Sequence, residues 1–276
     1  MWLTDLAVAS HQRQLPVAVF NATLMETGQR FVMSPVLGPR PDAAANGSAA
    51  VELLREFPSA RLRVSTAARL SSTFPYVTPA VRALVDDPAL ARSMIATHHV
   101  VDGGYADNEG VVTSVDWLNR LLQIYGNGVE PSSRPFDAVL LIRIHAFPSS
   151  GDRERNRSPS PLAGWRAALV GPLHAMLRVR SASQTERGDL EIRLLKQSVE
   201  RASRGSGGSG LRIESVKVAF YPPPGTRVPL SWKLTESQKR ELNVAWQSIV
   251  DGSHPDHPLK VIDRFFERDL SRTRSR

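Results

Sequence analysis

The sequence predicts an α/β fold, and three segments carry that expectation. Leu15 to Thr23 and Gln29 to Ser34 are β-rich runs on either side of Thr27-Gly28, so the pair reads as a hairpin or meander. Gly110 opens a helix in which Val111, Val115, Leu118, Leu121, Leu122 and Tyr125 recur at i, i+3, i+4 spacing, and Gly126 stops it. Ala138 to Ala146 is continuously apolar, the pattern of a strand buried on both faces. Elements of these kinds in this order suit an α/β sandwich.

The other elements follow in chain order. Pro39 to Ser48 is a Pro/Gly/Ala/Asn loop. Ala49 to Phe57 has apolar residues at helical spacing and is stopped by Pro58, and Ser65 to Ser72 is a second short helix that ends before Phe74-Pro75. Val100 and Val101 form a strand leading to Asp102. Residues 148–161 are a polar, charged surface loop and the best internal boundary, dividing a first part, 1–147, from a helical and α/β extension, 162–276. Helical periodicity resumes over Leu162 to Val199, broken at Gly171-Pro172 because proline has no backbone N–H to donate. Gly205 to Gly210 is a flexible Gly/Ser linker, Ile213 to Tyr221 is a strand closed by Pro222, and Thr235-Glu236-Ser237-Gln238 fits a capping box for a last helix to about Val250. The basic tail from Phe265 is expected to be partly disordered.

Composition narrows the function classes. With 41% hydrophobic residues the chain can bury a core, and with no cysteine it has no disulfide, thiolate metal site or Cys nucleophile. The N-terminus lacks the pattern of a signal peptide, and no run of about 18 apolar residues occurs. A cytoplasmic protein, peripheral at a membrane surface, is the expectation. The charge is +8, with arginines gathered at 153–157, 178–212 and 264–276. Such a surface attracts anionic phospholipid headgroups, although a solvated Arg-rich surface would look the same. Nucleic acid is not the expected partner, because no binding motif is present and aromatic residues are not interleaved with the basic clusters.

The chemistry centres on His98 to Gly110, HHVVDGGYADNEG. An acid at a strand end followed by Gly103 and Gly104 can be approached closely by a substrate or by another backbone, since neither glycine adds a side chain. Alternatively Asp102 supplies only an Asx-type turn hydrogen bond. Seven histidines invite a metal reading, but His98 and His99 alternate across a strand, and His254-Pro255-Asp256-His257 lies in a proline-rich loop without a partner motif. No HExxH or Walker A motif occurs, and the glycines of Gly205 to Gly210 read as part of a Gly/Ser linker, so no metal and no cofactor is expected.

Four segments in order carry a resemblance: Asn21-Ala22-Thr23 continuing to Thr27-Gly28-Gln29-Arg30-Phe31, Val64 to Pro79, Asp102-Gly103-Gly104-Tyr105 with Asp107, Asn108 and Gly110, and Pro229 to Thr235. Together they resemble the patatin-like family of serine acyl hydrolases, phospholipases and esterases that use a Ser-Asp dyad. The resemblance implies a three-layer α/β/α sandwich, lipid acyl esters as substrates, and Asp102 as the dyad general base. Gly103, Gly104 and Asn108 then form the supporting loop, and Tyr105 and Phe74-Pro75-Tyr76 are candidates to line an acyl pocket. The departure is equally plain. The nucleophile of that family sits in G-x-S-x-G, whose glycines a sharp elbow requires, and this sequence contains no such motif. The expectation is therefore an incomplete sandwich, the C-terminal part of such an enzyme, inactive alone and completed by a missing N-terminal half. The alternative is a non-catalytic patatin-like module that binds lipid or a partner.

Overall fold

A computed structural model describes residues 1–38, 50–73, 78–82, 94–125, 135–145, 183–202, 211–219, 234–254 and 257–274. The chain forms two compact units, Met1–Ile124 and Tyr125–Arg276. The division falls before the apolar strand at 138, which the sequence reading groups with the first part. The 148–161 loop, the break at Gly171-Pro172, the 205–210 linker and the Pro39 to Ser48 loop lie outside the described residues.

The first unit is built on β1 (Phe20–Leu24) and β2 (Arg30–Met33), an antiparallel hairpin with Ala22 opposite Phe31 and Thr23 opposite Arg30. Gly28 makes its turn possible at φ +69, a conformation that costs glycine little, while its N–H donates to the Leu24 carbonyl at 2.8 Å. β3 (Val51–Glu52) adds parallel to β2, and β4 (Val100–Asp102) adds antiparallel to β1, giving the order β3-β2-β1-β4. The expected helix from Ala49 is therefore corrected: Val51 and Glu52 pair with Phe31 and Val32, and only Leu53–Glu56 forms a helical turn, α2. Pairing along the open edge of β2 outweighs the local apolar spacing.

Alternation along FNATL explains the layers. Ala22 and Leu24 face a core completed by Phe31 and Met33 of β2, by Leu3 and Leu6 of α1 (Leu3–His11), and by Ala67 of α3 (Val64–Ser71). Asn21 and Thr23, with Arg30 and Glu52, face the opposite side, where α5 (Val111–Tyr125) lies. α4 (Met94–Thr97) leads into β4. Helices thus cover both faces of a mixed sheet, an α/β arrangement.

The α5 face is held by charge. Arg120 is 4% exposed and bonds Glu52 Oε1 at 2.6 Å and Asp116 Oδ2 at 2.7 Å. Arg30 reaches Thr113 Oγ1 at 3.0 Å and Asp116 Oδ2 at 3.3 Å, and Arg55 bonds Glu52 Oε2 at 2.9 Å. Each cation has an acid beside it, which is the condition for burying charge.

The second unit pairs β5 (Ala138–His145) in parallel with β6 (Arg212–Ala219). Residues 183–202 form α6, whose Asp189 pairs with Arg143 and whose Lys196 donates to Ser215 Oγ at 2.9 Å. α7 (Glu236–Val250) starts on a capping box: the Gln238 N–H donates to Thr235 Oγ1, and the Thr235 N–H donates to Gln238 Oε1 at 2.8 Å. α8 spans Pro258–Arg274; at the start of the tail Phe265 is buried and the Arg212 guanidinium stacks 4.8 Å over its ring, while residues 275–276 lie outside the described residues. Burial of β5 on both faces is also corrected. Ile142 is 48% and Ile144 78% exposed, while Val216, opposite Ile142 on β6, is buried, so that face of β5 is open over Ile142 and Ile144.

Candidate functional site

Asp102 ends β4, the outer strand of the sheet among the described residues. Val100 and Val101 are buried and seat the strand. The Asp102 N–H donates to the Thr73 carbonyl at 2.9 Å, and Thr23 Oγ1 donates to the Asp102 carbonyl at 2.9 Å. The backbone of the candidate acid is thus held by β1 on one side and by the end of α3 on the other.

The chain then tightens into a 3₁₀ turn over Gly103–Tyr105. The Gly104 N–H donates to Asp102 Oδ1 at 2.6 Å, and the Ala106 and Asp107 N–H groups converge on the Gly103 carbonyl at 3.1 and 2.9 Å. Gly103 is needed for close approach: a Cβ there would stand 2.2 Å from the Asn21 carbonyl oxygen. A Cβ on Gly104 would stand 2.8 Å from Asn108 Oδ1 and 2.9 Å from Asp102 Oδ1. The close approach inferred for this glycine pair is therefore made by the β1 backbone at Gly103, and by the Asp102 and Asn108 side chains at Gly104.

Behind the turn, Asp107 is 5% exposed. Its Oδ1 accepts from the Val112 N–H at 3.2 Å and its Oδ2 from the Thr113 N–H at 2.8 Å, which caps the first turn of α5. Gly110 links cap and helix at φ +67. On the other flank, Glu26 of the hairpin turn accepts from the His99 N–H at 2.8 Å and lies 2.6 Å from His99 Nδ1. Desolvation is the largest single influence on Glu26 and raises its pKa, but the bonds from the His99 side chain and backbone together hold the carboxyl below its ordinary value.

Asp102, Gly103, Gly104 and Asn108 therefore share one turn, with Asn108 exposed at its rim. Phe74-Pro75-Tyr76, the Leu230-Ser231-Trp232 part of the late motif, and the Gly/Ser run lie outside the described residues. Sequence reasoning missed what Asn21 and Thr23 do. They alternate onto the α5 face and edge β4, a signal present in FNATL as polar residues either side of Ala22. It also missed the Arg30, Arg120 and Glu52 cluster, whose members are far apart in sequence. A shallow depression lined by Val32, Ser34, Glu52, Leu53 and Trp117 lies at the β3 edge of the sheet, opposite the β4 edge, and does not belong to this site. Among the described residues no group of three or more His, Asp or Glu side chains is arranged to hold a metal, and no helix is long and apolar enough to cross a membrane.

What the geometry offers chemically is one partly exposed carboxylate on a rigid strand end. Such a group acts as a general base toward a hydroxyl brought within about 2.6–3.2 Å. Comparison of the chain with protein-family models and with curated protein sequences finds no match.

Proposed function

We propose that this chain carries the acid of a patatin-like lipid acyl hydrolase, with Asp102 as general base of a Ser-Asp dyad. The serine lies on a polypeptide segment outside these 276 residues. One observation carries the reading. Two motifs that support the resemblance separately meet side by side: Asn21-Ala22-Thr23 lies in β1 and Asp102-Gly103-Gly104 begins at the end of the neighbouring β4, and a bond joins residues 79 positions apart. In the proposed reaction the serine Oγ attacks the ester carbonyl carbon while its proton passes to Asp102. The tetrahedral intermediate collapses, the C–O bond to the alcohol breaks, and Asp102 returns the proton to the departing oxygen. Water repeats the sequence on the acyl-enzyme. A carboxylate of pKa near 3.9 is a weak base toward a hydroxyl, so the completed site must be dry and must stabilise the oxyanion. The +8 charge suits docking of the same protein on the anionic inner surface of a membrane.

The Gly104 bond to Asp102 Oδ1 favours a second reading, in which the acid only closes an Asx-type turn in a non-catalytic lipid- or partner-binding module. Hydrolysis of p-nitrophenyl acyl esters separates the two. The 276-residue chain alone is expected to match a buffer blank. Joined to a G-x-S-x-G segment encoded upstream of it, in frame or across a frameshift, it is expected to turn the esters over. Turnover by the chain alone, or no such segment upstream, would overturn the dyad reading.

A further inference from the structure

Asp107 is a carboxylate of the site loop that the dyad chemistry does not use, and it is buried. A buried carboxylate persists only where hydrogen bonds replace its water. Among the described residues no Arg or Lys is paired with it; instead it faces the N–H groups of Val112 and Thr113, at the positive end of α5. Two further contacts tie the same residue forward, and a third joins its partners Asn21 and Thr113. Its own N–H donates to the Gly103 carbonyl at 2.9 Å, Asn21 Nδ2 stands 3.5 Å from its Oδ2, and Asn21 Oδ1 accepts from Thr113 Oγ1 at 3.1 Å. The backbone of that asparagine is the surface on which Gly103 rests.

Two glycines separate Asp102 from the rest of the loop, and glycine restrains a chain least. On the strand side Asp102 is held by Thr73 and Thr23. On the far side, the residue joined to the 3₁₀ turn, to α5 and to β1 together is Asp107. We propose that Asp107 is a positioning residue: it anchors the turn against α5 and β1, and so fixes the direction in which the Asp102 carboxylate points. Its catalytic consequence rests on the dyad reading of Asp102; the anchoring itself does not.

Amide hydrogen exchange of the 276-residue chain, read by NMR, tests the anchoring. In Asp107→Asn an amide NH₂ replaces one acceptor oxygen, and exchange is expected to quicken about tenfold or more at Val112 and Thr113 and also at Gly104, whose N–H bonds Asp102. A helix cap without a positioning role would speed Val112 and Thr113 and leave Gly104 unchanged, which would overturn the proposal. Asn21→Ala keeps the cap and tests the link to β1 even if the first variant fails to fold. It is expected to quicken Gly104 and Ala106 while Val112 and Thr113 hold, and an unchanged Gly104 would count against the anchor. In the joined, active protein Asp107→Asn is expected to lower kcat about tenfold or more with KM unchanged. An unaltered kcat there, with Asp102→Asn inactive, overturns the catalytic consequence. Full activity in Asp102→Asn overturns the dyad reading instead and leaves the exchange result standing.

Discussion

A methyl group added at Gly103 would meet the Asn21 carbonyl oxygen at 2.2 Å, and both partners are backbone held in hydrogen-bonded elements. Gly103→Ala is therefore expected to cost about 3 kcal/mol, since overpacking that no side chain can relieve forces the backbone apart. Gly104→Ala meets side-chain oxygens instead, and the exposed Asn108 can swing away, so about 1 kcal/mol or less is expected. Urea denaturation midpoints compare the two; equal losses would show that the Gly103 contact is not the tight one. Glu26 allows a pH prediction. A carboxyl whose folded pKa is lowered adds stability above its unfolded value and loses it as pH falls through the folded one. Glu26→Gln should therefore lower the midpoint at about pH 6, with the gap from the parent chain closing toward about pH 3. A gap that widened on acidification would contradict the sign of the shift.

At the scale of elements, the polar face of the sheet decides how α5 is held. Replacing Arg120 by Leu strands Glu52 with Arg55 alone in a buried site, and a loss of about 3–5 kcal/mol is expected. Adding Glu52→Gln should recover part of it; a deeper loss in the double variant would show that the pair is not coupled. These ion pairs explain what was legible in the sequence and what was not. The α5 periodicity, the α3 boundaries, the strand into Asp102 and the Thr235 cap depend on residues within one turn or strand of each other, and each stands where local pattern puts it. β3 depends on the β2 edge, some twenty positions back, and α1 on burying Leu3 and Leu6 against a sheet that comes later in the chain. At the site, the acid and its glycines were readable because adjacency in sequence makes them adjacent in space. The roles of Asn21, Thr23 and Thr73 were not, because pairing of β1 with β4 and the end of α3 bring them there.

For the whole molecule, charge and completeness are the questions. If the basic surface serves membrane docking, the chain should sediment with anionic vesicles at low salt and leave them as salt screens the attraction, while neutral vesicles take little. Equal binding to both would assign the arginines to plain solvation, and preference for DNA over the vesicles would point to nucleic acid. The central claim concerns Asp102, and the most direct measurement is the initial rate of p-nitrophenyl ester hydrolysis by the chain joined to its G-x-S-x-G segment, with and without Asp102→Asn. The substitution preserves the shape of the residue and removes its basicity. A loss of about a thousandfold or more at an unchanged denaturation midpoint is the predicted result, and a rate within about twofold of the parent would contradict the assignment of Asp102 as the dyad acid.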